Sequence, residues 1–165
     1  MKNISLATLS NININVDVRK LTKTAIIPTY GSDKAGGADL YADIPGRTVV
    51  PPGGTVRIGT GIAMAIPDSF SGLIFARSGL STKNDLAPAN KVGLIDSDYR
   101  GEIVVYLHNH GSEPQIIEPC QRIAQIVFVN TPQASFNEVE SLDDTERGDN
   151  GFGSTGRWKQ WKKKK

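Results

Sequence analysis

Two aspartates and a tyrosine lie close together in residues 93–103, where the chain reads Gly-Leu-Ile-Asp-Ser-Asp-Tyr-Arg-Gly-Glu-Ile. Asp96 and Asp98 are two positions apart, so on an extended chain they share a face and their charges repel each other. Such a carboxylate pair is typical of a site that binds a cation or activates a water molecule. The alternative is a polar turn without chemistry.

Apolar residues flank this polar stretch on both sides. A run at residues 92–95 leads into it, and Ile103, Val105 and Leu107 alternate with other residues after it. The pattern predicts a β-hairpin, in which Gly101 is free to adopt backbone angles that other residues avoid. The two aspartates and Tyr99 are then expected at its tip.

A second group of candidate residues is Arg77, Ser78 and Gly79, which stand between an apolar run and the short polar segment 81–86. That segment is the single helical candidate. Backbone N–H groups at a helix N-terminus favour an anion, and the planar guanidinium of Arg77 can bind two phosphate oxygens. The alternative for an isolated serine such as Ser78 is a helix cap.

Two amides and a thiol are further candidates. Asn90 can donate to and accept from the edge of a pyrimidine, although an asparagine in a loop is usually a turn former. Gln125 lies between apolar residues of one strand face and needs a partner if it is buried. Cys120 has no convincing histidine partner for catalysis, so we expect a buried structural thiol.

The elements that must position these residues are many short strands. Residues 12–19 alternate between apolar and polar side chains, which predicts a half-buried strand. Further apolar runs separated by Gly and Pro predict strands at 25–27, 38–42, 48–50, 55–58, 62–66, 70–75, 94–95, 103–107, 116–117 and 123–129. We expect an all-β protein, a sandwich or jelly roll with one short helix.

Composition bounds the class of protein. A chain of 165 residues fits one domain with a real core, and its single cysteine excludes an internal disulfide. No apolar stretch approaches the ~20 residues of a membrane span, and asparagines interrupt the N-terminal segment where a signal peptide would be apolar. These features predict a soluble protein of a reducing compartment, with no membrane partner.

The net charge of +2 is unevenly distributed. Residues 147–165 carry seven Lys/Arg and one Asp, whereas the preceding chain carries twelve Lys/Arg and sixteen Asp/Glu. The last nine residues interleave Trp158 and Trp161 with lysines, which is typical either of nucleic-acid or anionic-surface binding or of a solvated chain end. We favour the solvated end, so nucleic acid is not an expected partner.

Five segments resemble, in chain order, the motifs of the deoxyuridine triphosphatase (dUTPase, dUTP diphosphatase) family. Residues 93–101 match the third motif throughout, and residues 37–40 and 75–80 resemble the first and second, with Ala76 in place of proline. Residues 122–126 resemble the fourth motif, preceded by Cys120-Gln121 in place of Gly-Asp. Residues 147–156 resemble the fifth motif, with Asn150 in place of a glycine that it can replace at positive φ.

This resemblance implies a fold and a reaction. The expected protein is a cytoplasmic homotrimer of jelly rolls with three shared active sites. The expected reaction is hydrolysis of dUTP to dUMP and diphosphate, which sanitises the nucleotide pool and supplies dUMP for thymidylate synthesis. Residues 1–146 would form the β domain, and residues 147–165 the closing motif and basic tail, which orders on the substrate.

The resemblance also assigns roles to individual residues. Asp96 activates the attacking water, and Tyr99 lies under the deoxyribose and excludes a 2′-hydroxyl. Asn90 and the backbone of the predicted hairpin contact uracil, and Phe152 stacks on it. The hairpin contribution comes from Leu94, Ile95 and Val104. The phosphate contacts come from Arg77, Ser78, Gly79, Gln125, Arg147, Gly153, Ser154 and Thr155.

The resemblance further implies Mg²⁺ as cofactor, held by substrate phosphates and water with no direct protein ligand. Asp39 would stand near the metal-bound triphosphate and reach the ion at most through a water molecule. Two alternatives stay open. A dCTP deaminase shares the fold but would need a general-base glutamate in place of the Asp-Ser-Asp-Tyr stretch and lacks the fifth motif. A non-catalytic nucleotide sensor would use the Trp/Lys tail.

Overall fold

The computed structural model describes residues 13–151, which contain twelve strands and one helix. The elements are β1 (Asp17–Lys20), β2 (Thr29–Tyr30), β3 (Ala38–Tyr41), β4 (Thr48–Val50), β5 (Thr55–Gly59), β6 (Ile62–Ala65), β7 (Phe70–Phe75), α1 (Ser78–Lys83), β8 (Leu86–Pro88), β9 (Gly93–Ile95), β10 (Val104–Asn109), β11 (Gln115–Ile117) and β12 (Arg122–Asn130). The predicted all-β architecture with one short helix is confirmed.

Antiparallel pairing joins these strands into four sheets. The largest has five strands in the order β2-β3-β12-β7-β9, and a second has three in the order β5-β10-β8. Two further sheets are the pairs β1-β6 and β11-β4. The first motif on β3 and the second at the end of β7 therefore lie on either side of β12, which carries the fourth.

The core lies between the two larger sheets. Leu40 on β3 and Ile126 on β12 come from the five-stranded sheet, and Ile58 on β5 and Leu107 on β10 from the three-stranded one. All four side chains are fully buried. Strand β10 alternates clearly, with Val105 and Leu107 buried and Tyr106 exposed between them, as expected for a strand with one face on a core.

Strand β1 confirms the alternation predicted near the N-terminus. Asn13, Asn15 and Asp17 are exposed, whereas Val16 and Val18 are half-buried and pack against the core. The strand itself covers only Asp17–Lys20 and pairs with β6. Ile12, the first residue of the predicted strand, lies outside the described residues.

Two element predictions are wrong and two strands were missed. Residues 25–27 form no strand. Strands β2 and β8 were not predicted, because they have only two and three residues, which in β8 include Pro88. The helix covers Ser78–Lys83 and not residues 81–86. Its end was misplaced because Leu86, which looked like a helical apolar residue, is buried in β8.

The predicted hairpin at residues 93–103 is wrong in its pairing. β9 pairs with β7, whereas β10 pairs with β5 on one edge and β8 on the other. Because both edges of β10 are occupied, β9 cannot pair with it, and the polar stretch crosses from one sheet to the other. We call residues 96–103 the crossover loop.

The chain divides into two compact units by contacts, one ending at Gln133 and the other beginning at Ala134. The predicted boundary at residue 146 followed motif content, and the division by contacts falls earlier because residues 134–146 are exposed and form no strand or helix. No helix within residues 13–151 is long and apolar enough to cross a membrane.

Candidate active site

A buried carboxylate with two arginines lies at one end of the five-stranded sheet. Asp39 on β3 is 8% exposed, and its Oδ1 accepts a hydrogen bond of 2.7 Å from Nε of Arg77. Its Oδ2 accepts one of 3.2 Å from a terminal guanidinium nitrogen of Arg122, at the start of β12. Both oxygens of Asp39 are thus directed at cations, and a carboxylate in this position fixes the orientation of the two guanidinium groups.

Gln125 holds the backbone next to this group. It lies on β12 opposite Asp39 on one side and Phe75 on the other. Its Nε2 donates a hydrogen bond of 3.1 Å to the carbonyl oxygen of Ala76. The half-buried amide therefore has a hydrogen-bond partner, and the carbonyl it binds directly precedes Arg77.

The helix α1 begins where β7 has ended. Arg77 is its N-cap residue, without a side-chain capping hydrogen bond, and Ser78 is the first helical residue. The alternative reading of Ser78 as a cap is therefore wrong. Ser78 and Gly79 are exposed.

We call Asp39, Arg77, Arg122 and Gln125 the arginine cluster. Its formal charge is +1, since two guanidinium groups face one carboxylate. The Arg77 side chain is 25% exposed and that of Arg122 is 49% exposed, so both have faces open to solvent. A rigidly held pair of guanidinium forks suits the oxygens of a phosphate chain.

A second group of predicted residues surrounds a small cavity at the crossover loop. The cavity has a volume of about 180 Å³. Its lining comprises Leu94, Ile95, Asp96, Tyr99, Glu102 and Val104. Five of these six were predicted to contact nucleoside or water, and Glu102 was not. Asn90 lies beside this group, because its amide nitrogen is 3.3 Å from the position that a Cβ of Gly93 would take.

Tyr99 is held in place by the loop itself. Its N–H donates to the carbonyl of Asp96 at 3.2 Å, and its hydroxyl donates to the carbonyl of Glu102 at 3.1 Å. The ring folds over Gly101, where an added Cβ would lie 2.6 Å from Cζ of Tyr99. Gly101 does not take the positive φ that we expected. A glycine is needed at position 101 because the Tyr99 ring approaches so closely, not because of the backbone angle.

Asp96 is exposed and opens on two cavities. Besides the small one, it lines a larger cavity of about 630 Å³, which Asp98 also lines. The two carboxylates therefore share that larger face, as their spacing predicted. Only Asp96 also reaches the small cavity beside Tyr99.

The arginine cluster and the crossover loop are far apart within one chain. Ile95 pairs with Gly72, so Asp96 follows at the level of Ser71 near the start of β7, whereas Arg77 follows the end of β7. At about 3.3 Å per residue, the two positions are about 20 Å apart along the strand. The Arg77 side chain also turns towards β3, three strand positions or about 14 Å from β9.

Residues 23–156 match the family model described as dUTPase. The chain belongs to the dUTPase family. It is 43% identical over 143 residues to the deoxyuridine 5'-triphosphate nucleotidohydrolase of Syntrophotalea carbinolica, covering 87% of this chain and 97% of that relative. The identity to the corresponding protein of Klebsiella pneumoniae subsp. pneumoniae is 47% over 132 residues, or 79% of this chain and 87% of that relative.

A solved structure agrees with this family. The dUTPase of Staphylococcus bacteriophage 80alpha, as a mutant with dUpNHpp, aligns with a TM-score of 0.80 at 26% sequence identity. The alignment covers 88% of this chain and 100% of that chain. The likeness confirms the predicted jelly-roll-like β-sandwich, and the five motifs recognised in the sequence are motifs of a dUTPase.

Family membership explains a departure in the fourth motif. Cys120 has φ +62 and is exposed, so our expectation of a buried thiol is wrong. A left-handed turn favours the glycine that the family usually has there. The side chain of Gln121 closes the turn, because its Oε1 accepts a hydrogen bond of 2.8 Å from the N–H of Glu118. The turn before β12 therefore keeps its form.

Two residues of the site were missed by sequence reasoning. Arg122 begins the fourth motif. Nothing in its spacing reveals that it binds Asp39, which Arg77 also binds, because Arg122 and Asp39 are 83 residues apart in the sequence. Glu102 was not singled out from the sequence. The signal that could have found it is the run of glycines at 59 and 61, which leaves room for its carboxylate.

The fifth motif is described only in its first part. Nε of Arg147 donates to the carbonyl of Asn150, and the amide of Asn150 donates to the carbonyl of Arg147, both at 3.0 Å. Asn150 does not take the positive φ that was considered for it, whereas Gly148 has φ +53. Phe152, Gly153, Ser154, Thr155 and the Trp/Lys tail lie outside the described residues.

Proposed function

We propose that the protein is a dUTP diphosphatase that hydrolyses dUTP to dUMP and diphosphate in the cytoplasm. The observation that carries this proposal is the position of Asp96, an exposed carboxylate beside the small cavity that Tyr99 lines. The relatives are deoxyuridine 5'-triphosphate nucleotidohydrolases, and a solved neighbour carries the analogue dUpNHpp. Both support the same substrate.

Asp96 acts as the general base in this proposal. It accepts a proton from a water molecule as the water oxygen attacks the α-phosphorus. The bond between that phosphorus and the oxygen bridging to the β-phosphate breaks, and the electron pair leaves with diphosphate. Arg77 and Arg122 stabilise the charge that develops on phosphate oxygens, because Asp39 holds both guanidinium groups before substrate arrives.

The small cavity selects the nucleoside. Tyr99 provides an aromatic floor for deoxyribose, and its ring has little freedom because its hydroxyl and N–H are both bonded within the loop. A ribose 2′-hydroxyl has no space above a ring held in this way. Asn90 and the backbone from Leu94 to Val104 offer the donors and acceptors that bind uracil.

The complete site is shared between subunits of a homotrimer. The separation of about 20 Å along β7 between Asp96 and Arg77 supports this, since both must act on one triphosphate. A second copy can bring its arginine cluster to the crossover loop of the first. The connector of residues 130–146 can extend about 50 Å, enough for the fifth motif to reach another subunit's site.

Mg²⁺ completes the proposal. In the part of the chain that the structure describes, no three His, Cys, Asp or Glu side chains group into a metal site. Mg²⁺ commonly keeps several waters and binds substrate phosphates, so these residues fit an ion held by the triphosphate. When bound, the ion neutralises charge on the phosphate oxygens. The oxygens of Asp39 are occupied by arginines and can reach such an ion only through water.

One assay separates this proposal from its alternatives. The protein is incubated with Mg²⁺ and either dUTP or dCTP, and both diphosphate and ammonia are measured. We expect diphosphate from dUTP and no ammonia from dCTP. Ammonia from dCTP would instead indicate a deaminase, and neither product would indicate a non-catalytic nucleotide sensor.

A further inference from the structure

Glu102 lines the small cavity, and both oxygens of its carboxylate are hydrogen-bonded to residues of another segment of the chain. Its Oε1 accepts a hydrogen bond of 3.0 Å from the N–H of Gly61, and its Oε2 accepts one of 2.8 Å from Arg57. Both partners belong to β5 or to the turn between β5 and β6. The side chain is only 27% exposed, so these bonds fasten the crossover loop to that turn in a partly desolvated place.

The same turn binds the loop through the next residue. The hydroxyl of Thr60 donates to the carbonyl of Ile103 at 2.6 Å, and the N–H of Ile103 donates to the carbonyl of Ile62 at 2.8 Å. Ile103 is fully buried. We call residues 59–62 the β5–β6 turn, and it contacts the loop at both Glu102 and Ile103.

The carboxylate needs a glycine beside it. A Cβ added at Gly59 would lie 2.5 Å from Oε1 of Glu102, and all three of the nearest atoms it would meet belong to that side chain. Gly59 is therefore explained by the carboxylate and not by the backbone. Gly59 and Glu102 form a matched pair, in which one residue has no side chain so that the other can reach the turn.

Glu102 is connected to Tyr99 by a single hydrogen bond. The carbonyl of Glu102 accepts from the tyrosine hydroxyl at 3.1 Å, so the position of the aromatic ring depends on where residue 102 is held. Tyr99 is itself 44% exposed, so burial alone does not fix the position of its ring. Because Glu102 is anchored to the β5–β6 turn, the loop holds the Tyr99 ring in one position under the sugar.

We propose that Glu102, seated against Gly59 and bound to Gly61, is a positioning residue that fixes Tyr99 and thereby sets the discrimination between deoxyribose and ribose. This inference rests on the proposed function, because it concerns selectivity between dUTP and UTP. The carboxylate of Glu102 is bound to Arg57 and Gly61. Glu102 acts through the carbonyl that Tyr99 binds.

The test compares kcat/KM for dUTP with kcat/KM for UTP. We expect Glu102→Ala to lower the ratio by about tenfold, since a small displacement of a positioning group has a large effect on rate. Glu102→Gln keeps an oxygen that accepts from Gly61 and should retain the ratio within about threefold. A merely destabilised protein would lose activity on both substrates equally, so the ratio is the informative quantity.

Gly59→Ala tests the same contact from the other side. Its methyl group displaces the carboxylate, so it should lower the ratio as Glu102→Ala does. Combined with Glu102→Ala it should add nothing further, because the side chain with which it collides is gone. The matched control is Glu118→Ala, which removes another Arg–Glu ion pair, of 2.9 Å to Arg47, and should leave the ratio unchanged.

The outcomes separate the two proposals. If the wild-type protein prefers dUTP over UTP and the Glu102→Ala variant keeps that preference undiminished, the positioning role alone is overturned. If Glu102→Ala does not fold, an undiminished preference in Gly59→Ala overturns it instead. A wild-type protein that releases no diphosphate from dUTP contradicts the proposed function, and this inference with it.

Discussion

At the scale of single residues, the site is a set of side chains whose orientation is fixed by partners that sequence spacing does not reveal. Asp39 shows this best, because its two oxygens orient Arg77 and Arg122, which are 38 and 83 residues away from it in the sequence. Tyr99 is similar, since its hydroxyl is bound three residues later at Glu102.

Asp96→Asn tests the general base. An amide keeps the shape of the side chain but cannot accept the proton, so kcat for dUTP should fall by about 10²–10⁴-fold while KM changes little. Steady-state kinetics of diphosphate release measure both. The neighbouring Asp98→Asn, which leaves the small cavity unchanged, is the control and should lower kcat much less. Turnover of Asp96→Asn within a few-fold of wild type would assign the base elsewhere.

Tyr99→Ala tests the aromatic floor. Removing the ring opens space for a 2′-hydroxyl, so the preference for dUTP over UTP should fall by about tenfold or more. The ratio of the two kcat/KM values measures this. The control is Tyr106→Ala, which removes an exposed tyrosine of β10 that does not line the cavity. Unchanged selectivity in Tyr99→Ala would place sugar recognition at another residue.

At the scale of elements, the sequence predicted the strands with long or alternating apolar runs and failed where tertiary pairing decides. Strands β4 and β7 have the predicted bounds, and β12 differs by one residue at each end. The crossover loop was read as a hairpin because local pattern cannot show that β10 already has two neighbours. The candidate residues Asp96 and Tyr99 of the loop could nevertheless be proposed from the sequence, since the motif that contains them is local.

The turn before β12 shows how an unusual residue fits a family backbone. Cys120 has φ +62, a region that costs a residue with a Cβ about 1–2 kcal/mol. Its N–H still donates to the carbonyl of Ala42 at 2.8 Å, so the turn forms in spite of this cost. Sequence reasoning misjudged the burial of Cys120 because it weighed the thiol and not the turn.

Cys120→Gly should therefore stabilise the protein. Relief of the strained φ outweighs the greater freedom of glycine in the unfolded chain, with a net gain of about 1 kcal/mol. The melting temperature should rise by about 2–4 °C, which differential scanning calorimetry can detect. Cys120→Ala keeps the Cβ and should show no rise. A Cys120→Gly variant that melts at or below the wild-type temperature would show that the turn carries no such strain.

At the scale of the whole molecule, the arginine cluster and the crossover loop, which we assign to one reaction, lie about 20 Å apart along β7 within one chain. The arginine cluster lies at the end of β7, the crossover loop lies at its start, and the fifth motif belongs to the second compact unit. The resemblance to the family already implied shared sites. The strand order adds the separation between Asp96 and Arg77 that supports this expectation.

Truncation separates the fifth motif from the basic tail. A chain ending after Glu146 lacks Arg147 and the glycine-rich run, and we expect it to melt normally but to hydrolyse dUTP poorly, because these groups act once substrate is bound. A chain ending after Arg157 lacks only the Trp/Lys end and should keep its activity. Equal rates for the shorter chain and full-length protein would contradict a closing role. A large loss in the longer chain would give the tail a role in the site.

The central claim is that Asp96 of one subunit and Arg77 of another complete one active site. Chains with Asp96→Asn and chains with Arg77→Ala are therefore expressed together with different affinity tags, and mixed trimers are purified on both tags. Each homotrimer, the control, should be nearly inactive.

Diphosphate release from dUTP by the mixed trimers is the deciding measurement. In every mixed trimer one of the three subunit pairs joins an intact Arg77 to an intact Asp96, so we predict about a third of wild-type activity. Mixed trimers as inactive as either homotrimer, or a protein that light scattering shows to be a monomer, would contradict a shared site.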